Sequence, residues 1–272
     1  MNATRKAARI ALAAAGLGLA LLLPACKTTT TYSTSSDGSQ DGAPKQEGDP
    51  HKRAAVRLQL ASAYYQKGQL ETAIREATDA TQIDPGLAAA YGLLGLIYMD
   101  LDRKKQADSS FIRALELNDK DPELNNNYGW FLCRNGREAE SIRYFDRAAA
   151  DHLYATPAMA LQNAGMCLIQ IGDRERAEKY LLRAFEADAS SPVAKYQLAR
   201  LYLVTNRPDR AEFYYELLAK SVDANAETLW LGIRVAHARS DARTEQRLGQ
   251  ELRHRFAGSP EADRLNREAF NE

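Results

Sequence analysis

The feature that most constrains this chain is a period of 34 residues. From Ala54 onward, Ala61, Gly95 and Gly129 fall at equivalent places, as do Tyr64, Tyr98 and Leu132. The same holds for Ala73, Ala107 and Ser141, and for Ala80, Ala114 and Ala148. After a two-residue insertion near Tyr154 to Pro157 the frame resumes with Gly165, Leu168, Ala177 and Ala184, then Ala199, Tyr202, Ala211 and Leu218. A fixed period with small residues at four recurring places describes units that each bury a face against the next, an array rather than a single closed core.

The spacing resembles the tetratricopeptide repeat. Its aromatic, Leu-Gly, Tyr, Ala, Phe, Ala pattern is nearly whole in Tyr91, Leu94, Gly95, Tyr98, Ala107, Phe111 and Ala114. Each unit is then two antiparallel helices, whose axes approach where Gly95 and Ala107 sit while Tyr98 and Phe111 fill the gaps. Turn residues stand where the helices must reverse, at Lys67-Gly68, Asn135-Gly136, Gly172-Asp173 and Arg207-Pro208. Asp84-Pro85, Asp121-Pro122 and Ser191-Pro192 mark joins between units. The fold expected is all-α: a right-handed superhelical array of six tetratricopeptide (TPR) helix-turn-helix repeats, at about 54–87, 88–121, 122–155, 158–191, 192–225 and 226–258. The last is degenerate, with Glu245 and Gly249 in the usual Ala and aromatic places, and a short C-terminal helix follows Gly258-Ser259-Pro260.

The N-terminus follows other rules. Arg5, Lys6 and Arg9 precede the apolar run Ile10 to Leu23, too short for an ordinary bilayer span but suited to a secretory signal. The run ends in LPAC, Leu23 to Cys26, which resembles the lipobox of bacterial lipoproteins. Residues 1–25 are therefore expected to be a signal peptide, with Cys26 acylated and 26–53 a flexible tether. The stretch from Lys27 to about Lys52 has hardly any apolar side chains to offset its ordering entropy. Lys27, rather than Asp, after the cysteine implies by resemblance sorting to the outer membrane, with the body facing the periplasm. The whole chain has 36 basic and 36 acidic side chains, and loss of Arg5, Lys6 and Arg9 leaves 33 against 36. That balance argues against a nucleic-acid partner.

In such an array the first helices line a concave face, with repeat positions 2, 5, 9, 12 and 13 pointing into it. The candidate partner-binding groove is Leu58, Ser62, Tyr65, Gly92, Leu96, Met99, Trp130 and Met166. Its apolar members either receive a peptide or helix, or pack against one another. Cys133 and Cys167 lie on adjacent first helices, within disulfide reach if they project toward each other at matching heights. In an oxidising compartment a structural bond between them is favoured over two buried free thiols.

The run NNYGWFLCRNG from Asn125, then SIRYFDRA, then YATPAMALQNAGMCLIQIGD, is similar to the pilotin lipoproteins of type IV pilus biogenesis, the PilF/PilW family. The likeness covers essentially the whole mature chain, and its most distinctive part is Asn126 to Cys133 with Tyr154, Thr156, Pro157 and Asn163 to Cys167. The resemblance implies a non-catalytic adaptor that escorts the secretin, the outer-membrane ring through which the pilus emerges, and promotes its multimerisation. It also implies a secretin-binding groove on the early repeats, over Leu58 to Met99, and an intramolecular disulfide between Cys133 and Cys167. A different periplasmic TPR lipoprotein, serving outer-membrane barrel assembly or cell-wall enzyme regulation, shares anchor and architecture but has no packing reason to contain that region.

No enzyme, cofactor, metal or small-molecule substrate is expected. His51, His152, His237 and His254 are scattered, with none at metal-ligand spacing. There is no glycine-rich phosphate loop or nucleophile elbow, and the carboxylates alternate with Lys and Arg as on a solvated helix face.

Overall fold

The computed structural model describes residues 48–270, in which every regular element is a helix. Six hairpins follow in order: α1 (Pro50–Gln66) with α2 (Leu70–Ile83), α3 (Ala88–Asp100) with α4 (Lys104–Leu117), and α5 (Pro122–Arg134) with α6 (Glu138–Ala150). Then come α7 (Pro157–Gln170) with α8 (Arg174–Ala187), α9 (Pro192–Val204) with α10 (Pro208–Ala219), and α11 (Ala226–Ala238) with α12 (Ala242–Arg255). Helix α13 (Pro260–Asn266) ends the described array.

One backbone device makes all six reversals. The residue at the same repeat position takes positive φ each time: Gly68, Gly136 and Gly172, and also Asp102, Asn206 and Ser240. The next amide then donates five residues back, as from Gln69 to the Tyr64 carbonyl and from Arg207 to that of Tyr202. This closes the helix end in the manner of a Schellman motif. Short polar side chains tolerate that conformation best among non-glycine residues, which is why turns without glycine escape a search for glycine alone.

Helix starts are equally local. Asp121 Oδ1 accepts from the Leu124 amide at 3.0 Å, with Pro122 as the first helical residue. Asn225 and Thr228 cap each other reciprocally ahead of α11. The same device corrects the expected tether boundary. Asp49 accepts from the His51 amide and Pro50 opens α1, so Pro50 to Arg53 are helical rather than linker. His51 Nδ1 meets Asp84 Oδ2 at 2.7 Å, tying the start of α1 to the end of α2. Hydrogen bonds from His51 and the Gly86 amide hold the Asp84 carboxyl below the usual carboxylate range.

Within hairpins, small residues face large ones. A Cβ added to Gly95 would stand 2.7 Å from the Phe111 ring, one on Gly129 2.9 Å from Phe145, and one on Gly165 2.7 Å from Leu181. In the degenerate sixth unit Gly249 replaces the large residue, and Leu265 of α13 comes to within 3.4 Å of where its Cβ would be. The terminal helix therefore supplies what the repeat lost.

Between hairpins, the backbones of successive first helices approach one another more closely than those of successive second helices, which meet through side chains such as Tyr180 with Asp146 and Phe185 with Tyr214. The stack therefore curves with α1, α3, α5, α7, α9 and α11 on its inner side, the geometry expected of a TPR superhelix. Turn arginines clamp neighbouring units together. Arg207 reaches Glu178 with two bonds, of 2.9 and 2.7 Å, and Tyr202 donates to the same carboxylate at 2.9 Å. Arg207, opposed by burial and assisted by Tyr202, holds the Glu178 carboxyl below the glutamate range.

A folded-state acid weaker in proton affinity than the unfolded one stabilises fully above the unfolded pKa, and that stabilisation fades as pH falls through the folded value. Glu178→Gln should thus cost about 1.5–3 kcal/mol at neutral pH. The gap from wild type should shrink as pH drops below about 4. Urea unfolding at several pH values measures this, and a pH-independent gap would mean that charge is not what the clamp uses.

Candidate functional site

The inner face is built from side chains that face away from each hairpin's own partner helix. Leu58 and Tyr65 of α1 edge the cluster formed by Ala61, Ala73, Ala77, Leu93, Leu94 and Ile97. Leu96 and Met99 of α3 edge the aromatic cluster of Phe111, Tyr128 and Phe131. Trp130 of α5 edges the central core that holds Cys133 and Cys167. These five, with Ser62 of α1 and Met166 of α7, are all half-buried. Each is seated in the core on one side and offers apolar or hydroxyl surface on the other, so packing accounts for only part of each side chain.

Gly92 is the exception and corrects an expectation. It is buried, and the Leu124 side chain occupies the space beside it. Lacking a side chain of its own, Gly92 admits the next first helix and presents nothing to a partner.

Polar groups fix the band's edges. Tyr65 donates to Asp100 Oδ2 at 2.7 Å, and burial of the ring, reinforced by that bond, pushes the phenol up to about 12. Asn163 of α7 donates to Asn126 Oδ1 of α5 at 3.0 Å, and Gln162 to Ser191 at 2.7 Å. Cys133 and Cys167 are joined by a disulfide, with Cα atoms 5.9 Å apart, which fastens α5 to α7. Cys26 lies outside the described residues.

Toward the C-terminal end the inner face changes character. Tyr196 of α9 donates to Glu227 at 2.8 Å and Arg200 stands over its ring. Trp230, Arg234 and His237 of α11 hold the chain's own tail. Phe270 stacks on His237, centroids 3.8 Å apart, and lies parallel to Trp230 at 5.8 Å, while its carbonyl accepts from Arg234 at 2.8 Å. Sequence reasoning missed this occupation. Phe270 lies beyond the periodic region, and no spacing rule links it to α11.

The outer layer has a cavity of about 430 Å³ between α10, α11 and α12, lined among others by Glu212, Tyr215, Asp241, Arg247 and Glu251. Its carboxylates are committed elsewhere: Asp241 caps α12, Glu212 pairs with Arg239, and Glu251 pairs with Arg255. Among the described residues no group of His, Cys, Asp and Glu is placed to hold a metal ion.

Tetratricopeptide-repeat models match residues 54–86, 88–121 and 164–226. The type IV pilus assembly protein PilF of Pseudomonas aeruginosa is 28% identical over 226 residues, 83% of this chain and 89% of that protein. The crystal structure of PilW, described as a widely conserved type IV pilus biogenesis factor, superposes with a TM-score of 0.73 at 34% identity, covering 78% of this chain and 97% of PilW. The chain belongs to the PilF/PilW family. The solved structure of Pseudomonas aeruginosa PilF also reaches a TM-score of 0.73, at 27% identity over 80% of this chain and 99% of that one. As a PilF/PilW protein it is a TPR protein of type IV pilus biogenesis, of a kind that works as a protein-interaction adaptor. YrrB, described as a TPR protein with an unusual peptide-binding site, at 21% identity and a TM-score of 0.52, shares the fold alone.

Proposed function

We propose that this protein is an outer-membrane lipoprotein, anchored through Cys26 and facing the periplasm, that binds the type IV pilus secretin and promotes its outer-membrane localisation and multimerisation. The observation that carries the reading is the half-buried apolar band of Leu58, Tyr65, Leu96, Met99 and Trp130 on the inner side of a PilF/PilW-family array. An apolar strip on a curved, preformed surface suits an extended or helical segment of another polypeptide, because the scaffold is already ordered and binding orders only the guest.

Leu58→Asp and Leu96→Asp should each lower secretin multimers by about tenfold or more, since a desolvated carboxylate in the contact opposes binding by well over 1.4 kcal/mol. The far-ultraviolet helical signal should be unchanged. Multimer levels equal to wild type in folded variants would remove the groove from the interaction. Co-purification with the secretin from detergent-solubilised outer membrane tests the partner directly. Cys26→Ala should move the protein from the outer-membrane fraction to the soluble periplasm, because acyl chains contribute about 0.8 kcal/mol per buried methylene and nothing else is asked to hold it there. Continued membrane fractionation would contradict the anchor.

A further inference from the structure

Among the described residues, the faces by which the repeats stack are buried between hairpins and exposed on α1. In α3 the residues turned toward the preceding hairpin are Ala90, Leu94 and Ile97, and in α9 they are Ala194, Leu198 and Leu201. None of the six is more than 6% exposed. What covers them is the second helix of the preceding unit: α2 lies on α3 and α8 on α9. Leu94 and Ile97 share a cluster with Ala73 and Ala77, and Ala194 shares one with Ala184. Helix α1 carries the same face, formed by Val56, Leu60 and Ala63, with no described hairpin ahead of it. Val56 is 57% exposed and Leu60 41%.

Three candidate occupants can be weighed. Residues 27–47 offer Tyr32 and Ala43 as their apolar side chains apart from Pro44, too few for an apolar helix face. A head-to-tail second copy finds no matching surface, because α13 already packs on α11 and α12, with Ala262 and Leu265 buried. A two-fold α1 to α1 contact centred on Leu60 brings Lys52 of one copy toward the Lys67 end of the other, and α1 contains no Asp or Glu to relieve the repulsion. Lys52 and Lys67 are both exposed and flank the apolar strip. The surface is therefore apolar along its middle and basic at its ends.

We infer that the Val56, Leu60 and Ala63 face of α1 docks one amphipathic helix of another protein, acidic along its flanks, in the place that a preceding repeat's second helix would fill. The site is separate from the inner face and does not depend on the secretin reading. The molecule contains its own template for such a guest. Helix α2 with its flanking residues, 69–84, has Glu71, Glu76, Asp79 and Asp84 against Arg75, a net charge of −3, and it already covers the corresponding face of α3.

The test is fluorescence polarisation of a labelled, hydrocarbon-stapled peptide of sequence 69–84, titrated with the purified full chain. Stapling offsets the poor helicity of so short a segment in isolation. Saturable binding is expected, weakened about tenfold or more by Leu60→Asp. It should also weaken as salt screens the lysines, and Leu96→Asp on the inner face should leave it unchanged. Circular dichroism confirms that both variants are folded. Absence of saturable binding overturns the inference, as does equal binding by Leu60→Asp. A dimer seen by light scattering that Leu60→Asp dissociates would assign the face to a second copy and overturn it too.

Discussion

Replacing Cys133 and Cys167 together by alanine should lower stability by about 3–4 kcal/mol, the chain-entropy value for closing a loop of this size. The bond spans a sequence separation of 34, so its removal frees one whole repeat period in the unfolded chain. Both residues are at most 1% exposed, and alanine leaves no unsatisfied hydroxyl where serine would. The effect should also be local. Stability in a stacked array is a sum of unit terms and neighbour interfaces, and this bond crosses the interface interrupted by the loop from Asp151 to Thr156. That loop buries Tyr154 and holds Leu153 94% exposed. Without the clamp the array should unfold in two steps, its first three repeats separating from the rest, and amide exchange in α7 should quicken. An unchanged denaturation midpoint and unchanged exchange in α7 would show that packing alone holds that junction.

The fold was legible because the period encodes contacts rather than composition. Gly95, Gly129 and Gly165 recur where Phe111, Phe145 and Leu181 press on them, so spacing and packing are the same information. Legibility failed where structure departs from the period. The polar composition of GDPHKR from Gly48 reads as tether, yet Asp49 and Pro50 form a helix start whose reward is long-range, through His51 to Asp84. Gly92 falls at an inward position by number, but a residue without a side chain yields its place to Leu124. The Asn126 to Asn163 bridge joins residues 37 apart, one more than the 36 that the two-residue insertion makes equivalent, so it links non-equivalent positions of α5 and α7 that the period does not pair. Phe270 belongs to no repeat, and its place against Trp230 and His237 is tertiary. The half-buried residues of the inner side were visible as a class, from their positions on first helices. Their division between core and surface was not, since half-burial depends on how closely neighbouring hairpins approach.

The pair Gly95 and Phe111 gives the sharpest stability test, because two general rules predict opposite signs for one substitution. Phe111 is fully buried, with ring centroids 5.8 Å from Tyr128 and 5.7 Å from Phe131. Phe111→Ala should therefore cost about 3–5 kcal/mol, combining lost transfer energy with a cavity that the surrounding helices cannot close. On helix propensity, Gly95→Ala should gain about 1 kcal/mol. On packing, its Cβ would stand 2.7 Å from a ring that Tyr128 and Phe131 hem in. Displacing that ring should cost about 1–3 kcal/mol, so a net loss is expected in the wild-type background. In the Phe111→Ala background the obstruction is gone and the same Gly95→Ala change should become favourable. The double mutant is then more stable than the sum of the single effects allows, and the coupling measures the contact itself. Additive effects in urea denaturation would show that the close approach of α3 and α4 does not depend on the glycine, and the physical reason for the recurring small residue would have to be sought elsewhere.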